Sequence, residues 1–125
     1  MDDFSIPLVA GDHGRALRFT LRDRLAAAPG RLLNHYDPET WAPCDLTRVV
    51  AIRVPVQPRD RSRPPYPLTA MKLAPYTSGL CQMIWPPELF AVPGHYEAEV
   101  SLEYAGGAME TVYGRMVFIV KERLR

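Results

Sequence analysis

Three histidines and one acidic stripe are the residues whose types invite catalytic chemistry. His13, His35 and His95 stand apart, with no second ligand at helical or Cys-x-x-Cys spacing, so no metal site is expected. Asp12 and His13 adjoin in a glycine turn, Gly11 to Gly14. An Asp that orients an imidazole normally approaches it from elsewhere in the fold, and no activated serine is signalled. The same turn lacks the Lys-Ser/Thr pair and the following helix of a phosphate loop. Glu97, Glu99 and Glu103 fall on one face of an alternating segment. Paired carboxylates can hydrolyse glycosides, yet such a stripe more simply keeps a sheet face solvated and discourages edge pairing. The expectation is a protein that is not an enzyme and has no cofactor.

A second group of residues speaks to binding. Arg59, Arg61 and Arg63 lie in a proline-bounded turn, Pro58 to Pro65. Gripping nucleic acid calls for an unbroken basic track with interleaved aromatics, whereas Asp60 interrupts this one. A solvated loop is expected, with docking to an acidic protein surface as the second reading and no nucleic-acid partner. Large aromatics are the remaining candidates, because interface energy concentrates in such side chains. Tyr36, Trp41, Tyr66, Tyr76, Trp85 and Phe90 join the three arginines as candidate interface residues, although several of the aromatics must belong to the core.

All of these sit in 125 residues of 14.1 kDa, enough for one domain, residues 1–125, with a radius of gyration of roughly 14 Å. Fifteen basic and fourteen acidic side chains leave a charge of +1, which removes any global attraction to nucleic acid or anionic membrane. Hydrophobic residues at 47% are ordinary for a globular chain. Thirteen prolines disfavour long helices and central ladders, so short strands and shaped loops are expected. No secretory signal and no apolar run long enough for a membrane helix are read at any point. Cys44 and Cys81 are expected as free, partly buried thiols in a reducing cytoplasm, with a single bridge between them as the alternative.

The periodicities then place the candidates on elements. Phe4 to Val9 reads as an edge strand bearing Pro7, and Arg15 to Arg22 alternates Leu17, Phe19 and Leu21 with polar residues. Leu25 to Pro43 reads as a long loop inserted between strands, which Tyr36 and Trp41 either pin down or turn into a partner surface. In Arg48 to Gln57, Val50, Ile52, Val54 and Val56 share one face; Val49, Ala51 and Arg53 share the other. Pro55 implies an edge or a late bulge there. Tyr66 to Leu73 is extended, Gly79 to Trp85 reads as a strand buried on both faces, and Pro86 to Phe90 as a short helical turn. His95 to Tyr104 alternates completely. A three-residue turn, Gly106-Gly107-Ala108, would return Glu110 to Lys121 with Tyr96 near Phe118, Leu102 near Val112 and Glu99 near Arg115. About seven strands with no long helix imply a single two-sheet antiparallel β-sandwich.

The order of several short motifs adds context. Gly11-Asp12 precedes the Phe19/Leu21 strand, Asp45-Leu46-Thr47 introduces a Val/Ile strand, and Pro93-Gly94-His95-Tyr96-Glu97-Ala98-Glu99-Val100 leads through Gly106-Gly107 to Phe118-Ile119-Val120. From about Gly11 to Lys121 the chain resembles the immunoglobulin-like N-terminal domain of tailed-bacteriophage upper baseplate proteins. The resemblance implies an immunoglobulin-like sandwich that assembles into a virion, commonly in the tail or baseplate. Three departures stand out: the Leu25–Pro43 insertion is long, Arg48 replaces a small residue, and the sequence ends at Arg125 without a coiled coil or receptor-binding domain. The expectation is therefore a docking module alone.

The leading functional expectation is a structural component of a phage virion that acts by protein–protein docking. Its partners would be other virion proteins and further copies of itself, without nucleic acid or membrane. It would reside in the virion, and in the host cytoplasm during assembly. A capsid decoration protein of the same fold and a carbohydrate-binding β-sandwich module are the alternatives.

Overall fold

The computed structural model describes residues 4–112 and 115–124. Its strands are β1 (Phe4–Val9), β2 (Leu17–Thr20), β3 (Arg22–Ala27), β4 (Trp41–Pro43), β5 (Val49–Pro58) and β6 (Tyr66–Lys72). They continue with β7 (Leu80–Met83), β8 (Gly94–Ala98), β9 (Ser101–Tyr104), β10 (Met109–Thr111) and β11 (Met116–Lys121). One sheet runs β1-β11-β8-β5-β6-β7-β2, with β9 also on β5 and β10 on β9. With the separate β3–β4 pair this makes eleven strands among the described residues, more than the seven or so expected, because several long runs are divided into short strands. β6 gives Tyr66 to Ala70 to β5 and then Met71 and Lys72 to β7, so the sheet curls over its own apolar face. The result is an all-β, sandwich-like fold. It is mixed rather than wholly antiparallel, because β1 runs parallel to β11. These are the first and last strands of the sheet, and no hairpin ties their directions.

β5 corrects the expected faces. Val49 and Ile52 are both buried, whereas Val50 is 63% exposed. The register against β9 slips between Val49 and Ala51, so a bulge at Val50 turns Val49 inward. Pro55 is not on an edge, since β5 has partners on both sides. The cost appears across the ladder. β8 and β9 keep one register against β5 yet are interrupted at Glu99 and Val100, opposite the proline that has no N–H to offer. Ile84, at 60% exposure, shows that the β7 segment is not buried on both faces.

The terminal hairpin is half as expected. Tyr96 lies opposite Phe118, and the alternation of Tyr96, Ala98, Val100 and Leu102 into the core holds. Near the turn the pairing differs, with Leu102 opposite Glu110 rather than Val112. Tyr104 N–H donates to Ala108 O at 2.8 Å, so the turn residues are Ala105, Gly106 and Gly107. Both glycines take φ near +97°, a conformation that Ala108 would adopt only with strain. The two-residue difference is absorbed between Val112 and Met116, a stretch containing Tyr113 and Gly114 of the expected strand, which lie outside the described residues.

An aromatic cluster fills the core where β8 and β11 meet the 85–92 segment. Phe90 stands edge-on to Tyr96 at 5.0 Å and to Trp85 at 5.4 Å, and lies 4.8 Å from Phe118. Such offset and edge-to-face pairs add to the burial term. Leu89 N–H closes a tight turn on Pro86 O where the short helical turn was expected. The buried Tyr96 donates its hydroxyl to Val92 O at 2.6 Å, four residues upstream, which ties β8 to the segment before it. On the other side, Leu21, Cys44 and Gly79 bring three chain segments into backbone contact. Leu21 N–H donates to Gly79 O (2.8 Å) and Cys44 N–H to Leu21 O (2.9 Å). A Cβ on Gly79, at φ +72°, would meet Leu21 O at 2.4 Å. Gly79→Ala is expected to lower stability by about 2–3 kcal/mol, from strain plus backbone displacement. Urea unfolding of the variant checks this, and an unchanged midpoint would contradict the close approach.

Candidate docking surface

The segment expected as a long loop is an ordered flap. β3 and β4 pair with each other, with a register break between Asp23 and Ala27, and the 3₁₀ turn Pro38–Thr40 leads into β4. Asp37 caps that turn by accepting from Glu39 N–H at 3.1 Å. Thr40 Oγ1 shares its one proton between Asp37 O at 2.8 Å and Asn34 O at 3.0 Å and accepts from Asn34 N–H. Trp41 Nε1 donates to Asn34 O at 2.9 Å. These bonds satisfy the flap's turn groups internally, so it needs no neighbour to hold its shape.

Trp41, Trp85 and Phe90 leave the set of interface candidates. Trp41 is 4% exposed and packs within the flap, outside the central core cluster. Trp85 and Phe90 are buried in the aromatic cluster, with the Trp85 indole N–H held by Asp12 O at 3.0 Å. Tyr66 is half-buried against the core. Tyr36, by contrast, is 85% exposed, and the Arg24 guanidinium lies 5.6 Å from its ring centroid. Arg24 Nε also donates to His35 O at 2.7 Å, which fixes the flap tip. Tyr76 is 42% exposed beneath the Lys72 ammonium, 4.4 Å from its ring centroid.

The flap also displays Leu25 and Leu32, 75% and 91% exposed, which the sequence reading passed over. Both fall in the Leu25–Pro43 stretch that reads as a long loop. Neither has a periodic neighbour to mark which way it points. Lys72 was missed too. Its ammonium donates to the carbonyls of Leu46, Thr47 and Val49 at 2.9–3.2 Å and anchors the turn before β5. In that turn the Asp45 carboxylate accepts from Thr47 Oγ1 and N–H, bonds that hold its pKa below the usual range. Leu46 between them is fully buried, so Asp45-Leu46-Thr47 is a core-anchored turn.

The arginine loop is ordered by its own arginines. Arg59 bonds Glu97 (3.4 Å) and approaches His95 Nδ1, Arg61 donates to Gln57 Oε1, and Arg63 donates to Tyr96 Oη at 2.9 Å. All three remain exposed. Arg115 joins Arg59 on Glu97, and Arg53 takes Glu103 at 2.7 Å, so two members of the acidic stripe are engaged by cations. Asp12 pairs with Arg123 at 2.6 Å instead of with His13, whose Nδ1 donates to Gly11 O. Among the described residues, no group of three or more His, Cys, Asp or Glu could hold a metal. No helix is long and apolar enough to cross a membrane among those residues.

Cys44 and Cys81 are free and buried. Burial pushes Cys44 up to about 12, helped by the nearby Asp23 and Glu110 charges, and Cys81 up to about 11. Thiols this far from the thiolate form are poor nucleophiles. No family model matches the chain, and the search of curated proteins found no match.

Trp41→Ala should open the flap locally at a cost of about 3 kcal/mol, raising the rate of tryptic cleavage after Arg24 and Arg31 by roughly 100-fold while the main unfolding transition is retained. Cleavage at the wild-type rate would show that Trp41 does not pin the flap. The raised thiol pKa values stabilise the fold fully below the unfolded-state value of 9, and this contribution fades as pH climbs from 9 towards 11 and 12. Cys81→Ala should therefore unfold less steeply over that window in a pH-melting series. A disulfide reagent at pH 8 should label wild-type protein only after denaturation.

Proposed function

We propose that this chain is a structural component of a tailed-phage virion, a tail or baseplate module that docks to other virion proteins and catalyses nothing. The observation that carries the reading is the ordered flap. It spends an internal tryptophan and a set of hydrogen bonds on its own shape, yet leaves Leu25, Leu32 and Tyr36 in water. Exposed apolar residues on a rigid support reduce the entropy lost on binding, and Tyr36 with the Arg24 guanidinium beside it supplies two of the residue types in which interface hot spots are enriched. The family resemblance in the motif order supplies the virion setting. Repeated copies would use the same face, in the virion and in the host cytoplasm as it assembles.

The engaged glutamates support docking over glycoside hydrolysis, since Glu97 lies between two arginines and Glu103 beside one. A sugar platform is disfavoured as well. Tyr36 and Tyr76, the most exposed tyrosines among the described residues, already have a cation near their rings.

The test mixes purified protein with tail, baseplate and capsid proteins under light scattering. A stoichiometric complex with a tail or baseplate protein is expected. The double variant Leu32→Glu, Tyr36→Ala should weaken it about 100-fold or more with its melting temperature unchanged, as hot-spot losses of roughly 2–4 kcal/mol imply. Binding to capsid proteins alone would favour a decoration role. A complex that ignores the double variant would remove the flap from the interface.

A further inference from the structure

β1 and β2 are the two ends of the sheet, and each has a ladder partner on one side only among the described residues. Between β1 and the segment entering β2 runs an open groove of about 570 Å³. Its floor is apolar, formed by Ile6, Leu8, Leu17 and Trp85. The Trp85 ring is fixed there by its bond to Asp12 O and by its edge-to-face contact with Phe90. The rim is basic. Arg15 and Lys121 line it without a hydrogen-bond or ion-pair partner among the described residues, whereas the Asp12 carboxylate is already taken by Arg123. An apolar floor between two cations that have no partner among the described residues is complementary to apolar side chains interleaved with carboxylates.

We propose that this groove receives an extended segment of a neighbouring virion protein in which apolar and acidic residues alternate. Alternate side chains of an extended chain point in opposite directions, and its carboxylates need only lean to the rim. The apolar set rests on Ile6, Leu8 and Leu17 above the buried Trp85, and the carboxylates meet Arg15 and Lys121. Pro7 withholds one backbone N–H from β1, which guards this edge against indiscriminate strand addition and leaves selection to the seat and the charges. The proposal rests on the docking reading of function and adds a second surface with a partner of defined chemistry.

The test uses the full chain and two labelled decapeptides, one alternating leucine with glutamate and the other leucine with lysine, followed by fluorescence anisotropy. The acidic peptide should bind, more weakly as salt rises, and the basic one should not. The charge-reversed variant Arg15→Glu, Lys121→Glu should lose about 10-fold or more for the acidic peptide and gain for the basic one. Ala16→Trp, at an exposed lining position, should block the seat without changing charge. No binding of the acidic peptide, equal binding of both peptides, or indifference to both variants overturns the proposal. Self-association that the charge reversal abolishes would overturn it in favour of a second copy as occupant. A virion complex formed equally by wild type and charge-reversed protein would refute the groove while leaving the docking function intact. Peptide binding by a chain that joins no virion protein would refute the function and leave the groove's chemistry standing.

Discussion

The interaction on which most of the structure depends is the burial of Tyr96 with its hydroxyl satisfied. A phenol taken out of water needs a partner, and Tyr96 has two, the Val92 carbonyl and the Arg63 guanidinium. The first bond turns the chain from the 85–92 segment into β8. The second draws the arginine loop over the end of the sheet. Around the ring, Phe90, Phe118 and Trp85 join β8 and β11 to the segment that bridges the two halves of the curled sheet. Loss of this anchor would loosen the loop, the turn and the groove floor together, because Trp85 belongs to both the core cluster and the groove.

Around that anchor the molecule divides its charged residues between structure and surface. Arg53, Arg59, Arg63, Arg115, Arg123 and Lys72 all serve internal contacts, to glutamates, an aspartate, a tyrosine and backbone carbonyls. Exposed pairs of this kind contribute little stability each. Their effect is to fix loops, and thereby to define which cations stay available. Arg15 and Lys121 beside the groove fall in the second group. The flap follows the same division: Trp41 and Thr40 hold it, and Leu25, Leu32 and Tyr36 face outward.

Much of this architecture was legible from local pattern. The alternation through residues 95–104 placed Tyr96, Ala98, Val100 and Leu102 inward, and the first strand with its edge proline was readable from Phe4 to Val9. Where periodicity breaks, reading failed. Val49 and Val50 are chemically alike, so nothing local reveals that a bulge buries one and exposes the other. Pro55 signals an edge by its missing N–H, yet a central strand tolerates it because the neighbouring ladder is interrupted opposite it. The flap looked like a loop since its two strands are short and joined by a register break, and their pairing depends on Trp41 closing back on Asn34.

The sequence by itself determined the all-β class and the inward face of the most regular strands, because each of these depends on residue type and spacing alone. Tertiary structure decided which aromatics are buried, which carboxylates meet cations, and that the two sheet ends flank a groove. Those outcomes depend on distances between residues far apart in the chain: Asp12 meets Arg123, and Trp85 reaches Asp12. No local period encodes such meetings. An exposed tyrosine and a core tyrosine share one side chain, and only the packing around Tyr36 and Tyr96 tells them apart.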